Sequence, residues 1–157
     1  ASMTSVSGLV IAENGPHFAP VLATIHASAF EGAARWPEGA FADLLATPGA
    51  QMFLASMDAE PVGFILARSV LDEAEILTLA VTPAWRRRGV ARRLLEVLEH
   101  ALEKRQVKKL FLEVSTKNAS AGALYMATGF TGAGSRKRYY EDGSDAIIMV
   151  RDIFCQP

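Results

Sequence analysis

The chain has 157 residues, half of them apolar, which is the length of one compact domain able to bury its own core, and its formal net charge is -1. That balance argues against a broad nucleic-acid-binding surface. A single cysteine, Cys155, excludes an intrachain disulfide, and no CxxC or His/Cys cluster suggests a metal.

The stretch Ala1 to Gly15 lacks both a basic start and a long apolar run, so it reads as neither a signal peptide nor a membrane anchor. The expectation is a soluble cytoplasmic protein, monomeric by default, with Ala1-Ser2 ahead of Met3 left over from an expression tag.

In chain order, Leu9-Val10-Ile11 reads as a first strand. Phe18, Val21, Leu22, Ile25 and Ala29 then recur at helical spacing, which predicts a helix from about His17 to Phe30. Glu31-Gly32-Ala33 breaks it, and Pro37 opens a second short helix through Leu45, since proline suits the first helical turn. Gln51 to Met57 and Val62 to Val70 are apolar runs joined by the polar turn Asp58-Ala59-Glu60-Pro61, an antiparallel hairpin. Glu75 to Val81 follows as a third consecutive strand and ends at Thr82-Pro83.

The period then changes. Val90, Leu94, Leu95, Leu98, Ala101 and Leu102 mark a long amphipathic helix beginning at Gly89. Lys109 to Val114 is a strand apolar on both faces, Ala121, Leu124, Tyr125 and Thr128 give another helical stripe, and Gly129 caps it. Two last strands, about Arg136 to Tyr140 and Ala146 to Val150, flank the turn Glu141-Asp142-Gly143-Ser144. The order predicts an α+β fold, a sheet with helices on its faces.

The sharpest local signal is Val81-Thr82-Pro83-Ala84-Trp85-Arg86-Arg87-Arg88-Gly89-Val90-Ala91, where a strand end, a basic glycine turn and a helix N-terminus follow one another. The first N–H groups of a helix lack intrahelical partners and carry partial positive charge, so they bind phosphate oxygens, and small residues such as Gly89 and Ala91 let a phosphate approach. The Gly-Lys-Ser/Thr ending of an ATP loop and the GxGxxG of a dinucleotide fold are both missing. Without further support, a solvated basic turn before an amphipathic helix remains the alternative.

Arg86-x-x-Gly89-x-Ala91 resembles the Q/R-x-x-G-x-G/A motif of the GNAT acetyltransferase superfamily, and the similarity covers nearly the whole chain. The resemblance implies a mixed, largely antiparallel sheet of about seven strands with helices on both faces, in one domain over residues 1–157. It implies acetyl-coenzyme A as cosubstrate: Leu79, Ala80 and Val81 pairing with the pantetheine arm, and Arg86, Arg87, Arg88, Gly89, Val90, Ala91 and Arg92 holding the pyrophosphate. Arg86 stands where many members have glutamine, and Ala91 where many have glycine.

Downstream, Leu112-Glu113-Val114-Ser115-Thr116-Lys117-Asn118-Ala119-Ser120-Ala121-Gly122-Ala123-Leu124-Tyr125 and then Gly129-Phe130 resemble the bacterial ribosomal-protein-alanine N-acetyltransferases within that superfamily. By that resemblance Glu113 is the general base, Tyr125 the general acid and Asn118 a ligand of the coenzyme. A carboxylate ending an apolar strand is expected to be partly desolvated, which makes it a better base near neutrality. The plainer alternatives are a frayed-edge glutamate, a packed core tyrosine and a helix N-cap asparagine.

The implied reaction is direct attack of a free amine on the thioester, with no covalent enzyme intermediate. Cys155 has no nearby histidine in sequence and receives no role. An α-amine with pKa near 8 is about 10% free base at pH 7 and a lysine is below about 0.1%, which leans toward N-terminal acceptors. The segments Trp36-Pro37-Glu38-Gly39-Ala40-Phe41 and Arg138-Tyr139-Tyr140 resemble matching blocks of the same subfamily. That implies Trp36, Phe41, Tyr139 and Tyr140 around the entry of a protein N-terminus, that of a ribosomal protein beginning with alanine. Anchoring of a short helix and ordinary strand packing are the structural alternatives for these four aromatics.

Overall fold

The computed structural model describes residues 8–30, 36–140 and 142–153. The helix break at Glu31-Gly32-Ala33, Glu141 of the last turn, Cys155 and the first residues lie outside them. Seven strands form one sheet: β1 (Leu9–Asn14), β2 (Ala50–Met57), β3 (Glu60–Val70), β4 (Glu73–Val81), β5 (Lys109–Ser115), β6 (Thr131–Arg136) and β7 (Ala146–Asp152). Four helices accompany them: α1 (Ala19–Ala29), α2 (Glu38–Leu45), α3 (Val90–Lys104) and α4 (Ala119–Ala127). The strand order is β1-β2-β3-β4-β5-β7-β6, antiparallel throughout except for the parallel β4/β5 pair. This is the mixed, largely antiparallel α+β architecture expected from the sequence.

Alternation along the central strands splits the core in two. Met52, Leu54, Phe64 and Leu66 pack against Leu22 and Ile25 of α1 and Phe41 and Leu45 of α2. Their neighbours Phe53, Ala55, Ile65 and Ala67 face the other way, onto Leu94, Leu95, Leu98 and Leu102 of α3. These α3 residues recur at intervals of one, three and four, so one stripe of the helix is buried and its charged face stays in water.

The β2/β3 connection is tighter than the four-residue turn expected. Met57 pairs with Glu60, leaving Asp58 and Ala59 as a two-residue turn with φ of 50° and 67°. Positive φ at both central positions matches the right-handed twist of the flanking strands.

The last hairpin departs further. The strand expected over Arg136 to Tyr140 lies earlier, over Thr131–Arg136, and Lys137 to Tyr140 belong to the connection. Arg138 has φ of 50°, which breaks strand geometry, and its N–H donates to the Asp145 carboxylate at 2.9 Å. The Gly132 and Gly134 that argue against a strand in sequence flank a bulge in an edge strand exposed along its whole length.

Candidate active site

Strands β4 and β5 are hydrogen-bonded over only three positions, Glu73 with Lys109, Ala74 with Leu110 and Glu75 with Phe111. Beyond that pair β4 continues to Val81 and β5 to Ser115 with no further pairing between them, so the sheet opens into a fork. One edge of β4 over Ile76 to Val81 is taken by β3, and the edge toward β5 is left free.

A bulge sets up this geometry. Leu66 pairs with Thr78 while Ala67 pairs with Ile76, so Leu77 is an extra residue in β4. Before it Ala74 and Ile76 face the α3 layer; after it Leu79 and Val81 do, and Leu77 and Ala80 join the α1/α2 cluster. The slip of one residue reverses which side chains face each layer and increases local twist, turning β4 away from β5.

At the far end of β4 lies the basic turn. Pro83 to Trp85 form a single 3-10 turn, Arg87 has φ of 63° and Gly89 φ of 87°. Gly89 is the N-cap of α3, and no side chain caps that helix. The N–H groups of its first turn therefore point out of the helix end without the usual side-chain oxygen, beside left-handed residues that make a concave anion seat. The turn carries three arginines and no side-chain oxygen caps the helix start, a setting that suits an anion.

The arginines of the turn differ in their engagement. Arg86 donates through Nη2 to the carbonyl of Ala29 at 3.2 Å, tying the turn to the C-terminus of α1, and the Arg88 guanidinium lies 4.8 Å from the centroid of the Trp85 ring. Val90 is buried at the base of the turn. It approaches β3 closely at Gly63, where an added Cβ would stand 3.0 Å from the Ala80 carbonyl oxygen and 3.3 Å from Val90. Glycine there lets the start of α3 sit down on the sheet.

On β5, Leu110, Leu112 and Val114 face the α3 layer, so Phe111, Glu113 and Ser115 face the other side. Glu113 stands two residues past the last β4/β5 pair, its side chain 18% exposed. Its carboxylate is not in the apolar setting expected of a strand end: Arg136 of β6 reaches it with Nε to Oε2 at 2.6 Å. Sequence reading missed this pairing because β6 and β5 meet only through β7.

Glu75 shares the neighbourhood. Burial raises its pKa above the usual carboxylate value, the charge of Glu113 adds to the effect, and Arg136 and Arg68 oppose it. The alternation Glu73-Ala74-Glu75 held the signal for a second glutamate beside the fork. Tyr140 is pushed up to about 12 by burial, with Glu113 the next contribution.

Tyr125 comes from α4 into the α3-side cluster. It is 8% exposed and packs edge-on against Phe130 at 5.5 Å. Burial pushes its phenol up to about 12, and Tyr140 adds to the shift. The phenol thus keeps its proton at neutral pH, and Tyr140 is felt from both sides, by Glu113 and by Tyr125. Asn118 is the N-cap of α4, its Oδ1 accepting from the Ala121 N–H at 3.1 Å. From the end of β5, Ser115 shares a hydrogen bond of 2.7 Å with Ser144, whose hydroxyl donates to Asp142 at 2.6 Å, latching the β6/β7 connection to the β5 end of the fork.

The four aromatics divide. Phe41 is fully buried, 5.4 Å from Trp36 and 5.8 Å from Phe64 by ring centroids, so it anchors α2 and holds Trp36 from beneath. Trp36 is half-buried. Tyr139 is 49% exposed and meets Tyr140 edge to face. Among the described residues no group of three or more His, Cys, Asp or Glu is placed to hold a metal, and no helix is long and apolar enough to cross a membrane.

A forked sheet with a bulged strand on one arm, a phosphate cradle at its tip and a carboxylate on the other arm defines an acyltransferase of the coenzyme A-dependent kind. Residues 20–130 match the model of the acetyltransferase (GNAT) family, and the chain belongs to that family. It is an acetyl-coenzyme A-dependent N-acetyltransferase that resembles the bacterial ribosomal-protein-alanine subfamily.

The chain is 44% identical over 104 residues to the [Ribosomal protein bS18]-alanine N-acetyltransferase of Escherichia coli K12, covering 64% of this chain and 70% of that one. It is 39% identical over 136 residues to the N-alpha-acetyltransferase RimI of Mycobacterium tuberculosis, covering 83% and 84% of the two chains. The crystal structure of the E. coli ribosomal-protein-S18-alanine enzyme superposes with a TM-score of 0.87 at 36% identity, covering 95% of this chain and 96% of that one. Ard1 from Thermoplasma volcanium superposes with a TM-score of 0.83 at 25% identity, covering 94% and 99%.

Proposed function

We propose that this enzyme acetylates the α-amine at a protein N-terminus, its acceptor a ribosomal protein that begins with alanine. The observation that carries the reading is the fork: Glu113 stands two residues past the last β4/β5 pair, on the arm of the fork across from the free edge of β4. The acceptor class is supported by the relatives that act on bS18 alanine and on N-terminal amines.

In this reading the thioester arm lies along Leu79, Ala80 and Val81 as an added strand would, and the N–H groups of Gly89, Val90, Ala91 and Arg92 hold the pyrophosphate. Arg87 and Arg88 add positive charge around it. Arg86 acts by fixing the turn to α1. Asn118 combines its cap with a contact to the coenzyme through its side-chain amide. Acetyl-coenzyme A supplies an activated acyl group whose thiol is a good leaving group.

The amine nitrogen attacks the carbonyl carbon, a C–N bond forms and the C–S bond breaks. Glu113 takes the proton the nitrogen sheds, and Tyr125, a phenol that carries its proton at neutral pH, gives it to the departing sulfur. Most of the acceleration comes from aligning the two reactants in the gap. Trp36, carried by Phe41, and the Tyr139/Tyr140 pair flank the entry for the peptide.

Mass spectrometry of products from a panel tests the substrate class. The panel holds an alanine-starting ribosomal peptide, the same peptide blocked at its N-terminus, a lysine-rich peptide and a polyamine. The reading expects acetylation of the free alanine peptide alone. Preference for the polyamine over every peptide would replace it with small-amine acetylation.

A further inference from the structure

The pairing of Arg136 with Glu113 bears on which amines can react. The two lie on strands separated by β7, and the step between them is diagonal: Arg136 pairs with Ala146, whose other partner is Ser115, while Glu113 pairs with Ile148, whose other partner is Gly134. Ala146 is fully buried and its side chain is a single methyl, and the Arg136 side chain runs from that row to the Glu113 carboxylate, two residues along β5 from Ser115. The guanidinium then has Glu113 at 2.6 Å and the ring of Tyr139 at 5.2 Å from Cζ. Other ionisable groups around the carboxylate are Glu75 of β4, with Arg68 of β3 behind it, and Tyr140 of the β6/β7 connection.

We propose that Arg136 is a specificity-determining residue that admits the acceptor amine only in its neutral form, and so selects N-terminal α-amines over lysine side chains. This rests on the reading of Glu113 as the base. An amine that is to hand a proton to Glu113 must come within a few ångströms of a carboxylate that already holds a cation. A second positive charge arriving there is repelled by the guanidinium and gains little from a carboxylate whose charge is matched. A neutral amine meets no such barrier. The selection follows from free-base fractions, about 10% for an α-amine at pH 7 against below about 0.1% for lysine. Once the C–N bond forms, the proton passes from nitrogen to Glu113, and the face of Tyr139 keeps the guanidinium in place as its carboxylate partner loses charge.

The test compares wild type, Arg136→Gln, Arg136→Lys and Glu113→Gln, each with an alanine-starting peptide and with its N-terminally blocked, lysine-containing twin, from pH 6 to 9. Arg136 is exposed on an edge strand, and melting temperatures check that its variants fold. For wild type, kcat/KM on the α-amine rises about tenfold per pH unit below the pKa of the peptide itself. Arg136→Gln is expected to flatten that rise and to lower the α-amine to lysine preference at pH 7 by about tenfold, while Arg136→Lys keeps both near wild type. An Arg136→Gln enzyme with unchanged preference and pH slope overturns the inference while a Glu113→Gln enzyme without turnover leaves the base in place. Full turnover by Glu113→Gln overturns both.

Discussion

The main-chain N–H of Trp36 donates to Nδ1 of His26 at 3.3 Å, joining the last turn of α1 to the segment that leads into α2. The imidazole stacks on Phe30 at 4.3 Å and has Trp36 and Phe41 at 5.3 and 5.4 Å, so it is the centre of an aromatic cluster. A ring nitrogen that accepts carries no proton, so neutral His26 holds its proton on Nε2. The geometry of Trp36, one flank of the proposed peptide entry, therefore depends on this histidine staying neutral.

Burial lowers the His26 pKa from 6.5 to about 4, and the residue is 2% exposed. Between those two values the unfolded chain binds more protons than the folded one, so stability rises with pH across the window. The contribution is complete above pH 6.5 and is lost as pH falls toward 4. At pH 5 the loss is about 2 kcal/mol relative to pH 7. Urea unfolding at the two pH values, for wild type and His26→Phe, checks this: the variant should lose about 2 kcal/mol less. Equal losses in both would show that other groups carry the acid sensitivity.

Gly63 and the start of α3 make a second prediction. The Cβ of Gly63→Ala meets the Ala80 carbonyl at 3.0 Å and Val90 at 3.3 Å, so α3 must lift by a few tenths of an ångström. The shift moves the unpaired N–H groups of Val90 and Ala91, and coenzyme A affinity should fall several-fold while the melting temperature changes by only a few degrees. Calorimetric titration with coenzyme A reads the first and thermal unfolding the second. Undiminished affinity would place the pyrophosphate elsewhere.

These cases mark how far the sequence carries. Elements with a strong period were legible: the α3 stripe from Val90 to Leu102 and the apolar runs of β2, β3 and β5 fall where expected. The basic turn ahead of α3 was legible too, because its residues are contiguous. What could not be read depends on relations between strands. The Leu77 bulge has no mark in the sequence of β4, since it exists only against the register of β3. The Glu113/Arg136 pair requires knowing that β7 inserts between β5 and β6. Strand β6 was misplaced because edge position, not propensity, lets Gly132 and Gly134 lie there.

Arg151 of β7 ties three elements together. Its Nη1 lies 2.8 Å from Oε2 of Glu99 on α3 and also donates to the carbonyl of Thr128, which caps the C-terminus of α4. Glu99 is 15% exposed in its side chain, so removing the guanidinium leaves a mostly buried carboxylate and an unpaired helix-end carbonyl. Arg151→Met should cost about 2 kcal/mol, discounted for the partial exposure of the arginine. The double variant Arg151→Met/Glu99→Gln should regain part of it, as chemical denaturation would show. Additive losses would mean that the pair is not coupled.

Thiol release from acetyl-coenzyme A in the presence of an alanine-starting peptide, for wild type against Glu113→Gln, tests the central claim most directly. With Glu113 as the base, the substitution keeps shape and removes the proton acceptor, so kcat should drop about 100-fold or more while coenzyme affinity stays unchanged. A Glu113→Gln enzyme that turns over at the wild-type rate would contradict the account, leaving the acetyltransferase with its fold and coenzyme site but without this carboxylate in its chemistry.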